Sequence, residues 1–193
     1  MKLLGFQFSN RPYVHAQVDY LINRAASRSF VIRRLSGVGV NKERLKNIYC
    51  SIVRSVLEYS SVRYGPMLAQ YEKNRLENVQ KNCLRSIFGF EKSYEELLSE
   101  SCLESLEVRR KKRLENLQKK TSKNKQFEHW FPTNDNQSSQ RSGNKYREIF
   151  ARSDRLYDSP LFEMRRLLNN TENETRTSNL SEFIDLSDLF NVP

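Results

Sequence analysis

From Leu45 to Leu57 seven apolar side chains recur at steps of three and four: Leu45, Ile48, Tyr49, Ile52, Val53, Val56 and Leu57. At 3.6 residues per turn that spacing lines them along one side of a helix. A strand would throw them onto opposite faces and bury only some of them. One amphipathic helix cannot cover its own stripe, so the segment demands partners of the same kind. The flanking sequence offers two. Val18, Leu21, Ile22, Ala25, Ile32 and Leu35 predict a helix over about 13–36, stopped by Gly37 and Gly39. Leu76, Val79, Cys83, Leu84, Ile87 and Phe88 predict another over about 71–88, followed by Gly89. Asn41 reads as the N-cap of the middle helix, and Tyr64-Gly65-Pro66 as the turn that ends it. An antiparallel three-helix core over 13–88 is therefore expected. Only 6 Gly and 5 Pro in 193 residues argue against a turn-rich β fold.

The rest of the chain is read by the same rules. Lys2 to Phe8 alternates like a short strand, ended by Asn10-Arg11-Pro12. It is too short to be stable alone and is expected to be the last strand of a sheet formed elsewhere. Ser93-Tyr94-Glu95-Glu96 is a capping box that opens a short helix to about Glu100. A further helix starts near Glu104 and carries Leu106, Leu114 and Leu117. From 121 the composition turns to Ser, Asn, Gln and Lys, which predicts a mobile polar linker interrupted by Phe127, Trp130 and Phe131. Ser159-Pro160 reads as an N-cap with proline at the first helical position. Leu161, Met164, Leu167 and Leu168 form a short amphipathic helix, residues 169–181 are polar, and Phe183 to Phe190 close with a helical turn or two. The expected fold class is mainly α: a helical bundle preceded by one short N-terminal β-strand, with a partly disordered linker and short C-terminal helices. The expected organisation is a terminal strand at 1–12, a helical domain at 13–120, a linker at 121–154 and a helical tail at 155–193.

Several function classes find no support in the residues. No run of 18 apolar residues occurs, so no membrane partner is expected. Ser9-Asn10-Arg11 cuts the opening apolar stretch too short for a signal peptide. Three cysteines, Cys50, Cys83 and Cys102, with no CxxC, point to reduced thiols in an intracellular protein, nuclear or cytoplasmic. His15 and His129 are far apart in the chain, and no phosphate-loop, dinucleotide or nucleophile-elbow motif occurs. The Asn-x-Ser/Thr sites at Asn136, Asn169, Asn173 and Asn179 are what an Asn/Ser/Thr-rich segment yields by chance. No catalytic residue, cofactor or metal ligand is assigned.

Charge is the informative feature. Residues 1–125 hold 25 Lys and Arg against 12 Asp and Glu, whereas residues 126–193 hold 8 against 11. A basic body with a mildly acidic tail suggests a polyanion-binding surface, against the plainer reading of solubility charge on helix faces. The candidate nucleic-acid contacts are Arg24 and Arg28, about 40° apart on the first helix opposite much of its apolar stripe, with Arg33 and Arg34 at its C-terminal end. Cations at that end also complement the helix dipole. The run Arg109, Arg110, Lys111, Lys112, Arg113 is a further candidate. On a helix it spreads around the cylinder, so part of it must face other charges, with Glu107 opposite Lys111 one such pair. Trp130 could stack on a base or anchor the linker by an apolar contact.

Several of these segments together resemble a known family. Lys2-Leu3-Leu4-Gly5 followed by His15 and an Arg-Arg-Leu helix end, and then Tyr49 to Ser61, are similar to the end of the reverse-transcriptase domain of non-LTR retrotransposons (LINE elements, jockey/CR1-like). So are Pro66, Leu76-Glu77-Asn78-Val79-Gln80-Lys81, Ser93-Tyr94-Glu95-Glu96, and Leu103 with Ser105 to Arg110. Ser159-Pro160-Leu161 with Met164 and Asn169, and Asp188-Leu189-Phe190-Asn191, match more loosely. Tyr64 stands where the family usually has Trp, with Arg63 before it. The resemblance implies a thumb and post-thumb region, whose helices grip the backbone of an RNA/DNA template–primer without reading sequence. The family is an RNA-directed DNA polymerase whose paired palm aspartates hold divalent metal. No Asp-Asp pair occurs in this sequence, so the chain itself is expected to be a fragment and no enzyme, with nucleic acid as its partner and the polymerase palm or another protein as a possible second one. Two rival readings stay open: a helical protein-interaction module, host-adopted or not, and a decayed element without selected function.

Overall fold

A computed structural model describes residues 2–3, 6–7, 13–133, 144–147 and 151–189. The fold is mainly α. The elements are β1 (Lys2–Leu3), β2 (Phe6–Gln7), α1 (Tyr13–Gly37), α2 (Lys42–Ile48), a π-helical stretch (Tyr49–Arg54), α3 (Ser55–Leu57), α4 (Ser61–Tyr64), α5 (Gln70–Phe88), α6 (Tyr94–Ser101), α7 (Leu106–Ser122), α8 (Asp154–Tyr157) and α9 (Pro160–Leu189), with short 3-10 helices at Gly65–Met67 and Lys125–Trp130. The chain divides into two compact units, Met1–Arg113 and Leu114–Pro193.

The first unit is a helical bundle. Polar contacts between α1 and α5 advance in step: Asp19 with Arg75, Ser29 with Cys83, Ser36 with the Ser86 carbonyl. These two helices therefore run parallel. The α2–π–α3 segment returns between them, with Arg28 reaching the Ile52 carbonyl and Tyr49 reaching Gln80. Up, down, up is the antiparallel three-helix core expected from the periodicity. Val18, Leu21, Ala25 and Ile32 of α1, Leu45, Tyr49, Val53 and Leu57 of the middle segment, and Leu76, Cys83, Leu84 and Ile87 of α5 are buried together. Each buried Leu or Ile contributes about 1.5–3 kcal/mol.

The caps fall where the sequence places them. Asn41 Oδ1 accepts from the Glu43 amide at 2.9 Å. Ser93 and Glu96 form the reciprocal capping box of α6. At the start of α5, Glu72 accepts from the Ala69 amide at 3.0 Å; alanine has no oxygen to return the bond. Gly89, at φ +121°, ends α5 in a conformation reserved for glycine.

Several expectations change. Lys2–Leu3 and Phe6–Gln7 are two short strands paired with each other, Lys2 opposite Gln7 and Leu3 opposite Phe6, where one strand was expected. Asn10-Arg11-Pro12 lie outside the described residues. The middle helix does not run to Tyr64: it breaks after Leu57, and Ser60 takes a left-handed φ of 58°. Tyr64 Oη then donates to the Leu57 carbonyl at 2.5 Å, so the break is satisfied from the next helix. Finally, α9 continues through the polar stretch 169–181 to Leu189 as one helix. The side chains of Phe183, Ile184, Leu186 and Leu189, and all of Phe190, lie outside what is described.

In the second unit the segment read as a linker carries structure. Residues 121–122 complete α7, Lys125–Trp130 is 3-10, and Thr133 bridges Tyr146. Residues 134–143, including Asn136, lie outside the described residues. Asn169 of α9 holds the Tyr146 backbone at both ends, accepting from its amide at 3.0 Å and donating to its carbonyl at 3.2 Å. Arg165 donates to the Trp130 carbonyl at 2.7 Å.

Candidate nucleic-acid interface

The surface of α1 follows from its sequence. Its buried stripe takes Val14, Val18, Leu21, Ala25 and Ile32. At 100° per residue, Arg24 and Arg28 flank that stripe on one side, Arg33 flanks it on the other and Arg34 points directly away. Arg24 and Arg28 therefore border the stripe instead of opposing it. Arg24 Nη1 donates to Tyr20 Oη at 2.8 Å. Arg28 Nη1 donates to the Ile52 carbonyl at 2.7 Å. Arg34 lies over the Phe30 ring, 5.1 Å from its centroid. Arg33 is exposed and lines a cleft of about 280 Å³ with Ser29, Cys83 and Phe90. The one carboxylate of α1, Asp19, is tied to Arg75 at 2.7 Å.

Arg24 and Arg28 meet two tyrosines that the sequence did not single out. Tyr20, Leu21, Arg24 and Arg28 from α1, with Ser55, Val56 and Tyr59, enclose a cleft of about 420 Å³. Tyr59 is 47% exposed. The break after Leu57 brings Tyr59 here. The signal for it was in the sequence, as an aromatic beside a helix end, but its partners lie far back in the chain.

The basic run on α7 has a different setting. Glu58 is 3% exposed. Arg109 binds it through Nε and Nη2, and Arg113 Nη2 binds it at 2.6 Å while Nη1 takes the Glu58 carbonyl at 3.1 Å. The bond to Glu58 raises the Arg109 pKa. Arg110 is buried, with Nη2 3.8 Å from Glu77. Lys112 pairs with Glu104, whose pKa is lowered chiefly by that bond. Lys111 is exposed. Glu107, expected opposite Lys111, is 3.1 Å from Lys73. The run thus contributes most of its guanidinium groups to holding α7 on the bundle.

Glu77 completes that clamp. Its carboxylate accepts from the Leu106 and Glu107 amides at 3.3 and 2.7 Å, so a side chain of α5 caps the α7 N-terminus. Tyr49 donates to Gln80 at 2.6 Å, Gln80 to Tyr94 at 3.0 Å, and Tyr94 to Glu77 at 2.5 Å. Burial raises the pKa of the Tyr49 and Tyr64 phenols, and burial together with the Glu77 bond raises that of Tyr94. Burial also raises the Cys83 thiol pKa.

Trp130 sits with its ring centroid 4.7 Å from that of Phe127, and its carbonyl is held by Arg165. Its neighbours are those of an apolar anchor. Among the described residues no three His, Cys, Asp or Glu side chains stand together as metal ligands, and no helix is long and apolar enough to cross a membrane. No protein-family model, curated protein or solved structure matches this chain.

Proposed function

We propose that this chain is the duplex-gripping, thumb-like helical region of a non-LTR retrotransposon RNA-directed DNA polymerase, and that it holds the backbone of an RNA/DNA hybrid. The observation that carries the reading is the surface of α1: four arginines around a helix whose single carboxylate is already neutralised by Arg75. The ordered resemblance of residues 2–120 to that family supports it. Arginines at such a surface displace condensed counterions from phosphates and leave base edges unread. The grip is therefore salt-sensitive and blind to sequence.

The test is fluorescence anisotropy of the full chain with two hybrid duplexes of unrelated sequence at low salt. Both should bind with similar affinity, and Arg24→Gln with Arg34→Gln should weaken both together. Failure of either duplex to bind at low salt overturns the reading. The chain should add no nucleotide to a primed template, and clear incorporation would overturn it equally. A second reading, a protein-docking helical module, is favoured by Phe90 and Val38, 70% and 81% exposed. A stable specific oligomer without nucleic-acid affinity would select it.

A further inference from the structure

A grip on the phosphate backbone explains the arginines of α1 but not the aromatic ring beside one of them. Phe90 is 70% exposed, makes no hydrogen bond through its side chain and gains nothing from sugar or phosphate. Gly89, at φ +121°, turns the chain out of α5 in a conformation that L side chains rarely adopt. Phe90 then lies at a cleft between α1 and α5 instead of in the core. Ala26 of α1 and Val79 of α5 are small there and leave about 280 Å³, just under the smallest ligand pockets and enough for one flat ring system. No carboxylate lines the cleft among the described residues; Arg33 of α1 and Asn82 and Ser86 of α5 do. Ser86 Oγ donates to the Asn82 carbonyl at 2.9 Å, which leaves its oxygen as an acceptor. The side chains of Arg33 and Asn82 make no hydrogen bond or ion pair among the described residues. Five guanidinium donors and both ends of the amide are therefore uncommitted. Ala26 and Val79 are too slight a floor for the row of apolar anchors by which a helix docks. A flat base with a polar edge and a phosphate suits the ring, the amide and the guanidinium together.

We propose that this cleft takes one unpaired nucleotide, its base stacked on the Phe90 ring, its edge on the Asn82 amide and its phosphate on Arg33. The inference rests on the nucleic-acid reading above and adds to it a preference: the chain binds where a hybrid ends in a single strand. In a paired hybrid every base is already stacked on its neighbours, so only a single strand can offer Phe90 a free face. Stacking of this kind tolerates any base, because every base has a π-face. Arg33 belongs both to the α1 surface and to the cleft, so the cleft continues the gripping surface.

Anisotropy with the full chain tests it, using three labelled probes at one salt concentration: a single-stranded oligonucleotide, a blunt RNA/DNA hybrid, and the same hybrid with an overhang of several unpaired nucleotides. The overhang hybrid should bind about tenfold more tightly than the blunt one. Phe90→Ala should bring that ratio down to about one. Phe90→Leu, apolar but without a ring, should do the same, and Phe90→Trp, which keeps a stacking face, should retain the preference. Because Phe90 is mostly exposed, these variants are expected to fold, and circular dichroism checks this. Equal binding of blunt and overhang hybrids by the native chain overturns the cleft while leaving the duplex grip standing. A ratio that survives Phe90→Ala or Phe90→Leu in a folded variant overturns it too. A stable oligomer that Phe90→Ala dissolves, seen by sedimentation, also overturns it and gives the ring to a protein partner. Binding of the single strand alone, lost in Phe90→Ala, keeps the cleft and removes the duplex grip. Absence of binding to all three probes removes both the cleft and the reading beneath it.

Discussion

Glu58 is the residue on which the attachment of α7 turns. A carboxylate 3% exposed is tolerable only because two guanidinium groups and the geometry of the helix break surround it. Removing it leaves Arg109 and Arg113 without their anion, although Arg113 is open enough to regain water. Glu58→Ala should therefore cost about 2–3 kcal/mol, at the lower end for a broken buried pair. Urea unfolding reads the change, and an unaltered midpoint would refute the clamp. The tyrosines make a second prediction at this scale. Tyr49, Tyr64 and Tyr94 all have phenol pKa values raised in the fold, so the folded state keeps protons that an unfolded chain gives up. Stability from this source is whole below the ordinary phenol pKa of about 10 and falls as pH climbs beyond it. Thermal melts should hold level from about pH 8 to 9.5 in this respect and drop steeply by about pH 11. The share of tyrosinate absorbance that belongs to these three phenols, read as the loss in a Tyr49→Phe, Tyr64→Phe or Tyr94→Phe variant, should rise only with unfolding, and its rise in a folded chain would refute their burial. None of this was legible from sequence. Glu58 reads as one more surface charge until the chain returns 51 residues later with Arg109, and a tyrosine announces no partner.

At the scale of elements, legibility tracks how local the cause is. The spans of α1 and α5 and the capping box of α6 follow from side chains within a turn or two, and periodicity or cap chemistry placed them within a residue. The middle helix was legible as a stripe but not as a shape. Seven apolar positions say nothing of the π-helical stretch at Tyr49–Arg54, because its Ile52 carbonyl is held by Arg28 from another helix. The break at Ser60 is hidden for the same reason: Tyr64 and Arg113 supply the bonds that make it affordable. In α9 the stretch 169–181 was legible only as polar, with a short helix before it and a turn or two after, yet Asn169 and Glu172 are used on the helix to hold the Tyr146 backbone and Lys145. Gly89 lets the element scale be tested. A methyl there meets nothing within 4 Å, so space is no obstacle, but φ of +121° excludes L side chains. Gly89→Ala should cost about 1–3 kcal/mol. A melt shows it, and a neutral result would mean that α5 ends by another route.

For the whole molecule, the question is how many of its cations a nucleic acid can use. Net charge alone, +10, does not say which they are. Charge partition along the sequence places the excess of cations in residues 1–125 but does not say which of them are engaged. Arg109, Lys112 and Arg113 are committed to carboxylates, and Arg110 is buried. Arg24, Arg28, Arg33 and Arg34 remain on the α1 surface, and Lys111 stands exposed on α7. Each phosphate neutralised adds about −0.9 to the slope of log affinity against log salt. Four contacts give roughly −3 to −4, which is about a hundredfold loss between about 50 and 200 mM salt. Had the whole α7 run joined in, the slope would approach about −8. Measuring the slope with a blunt hybrid therefore counts the working cations directly. Arg33→Gln with Arg34→Gln should flatten it by about two, whereas Lys111→Gln should flatten it by no more than about one. A slope near −8 would mean that cations beyond the four arginines of α1 join the grip, and an unchanged slope in Arg33→Gln with Arg34→Gln would move it off α1.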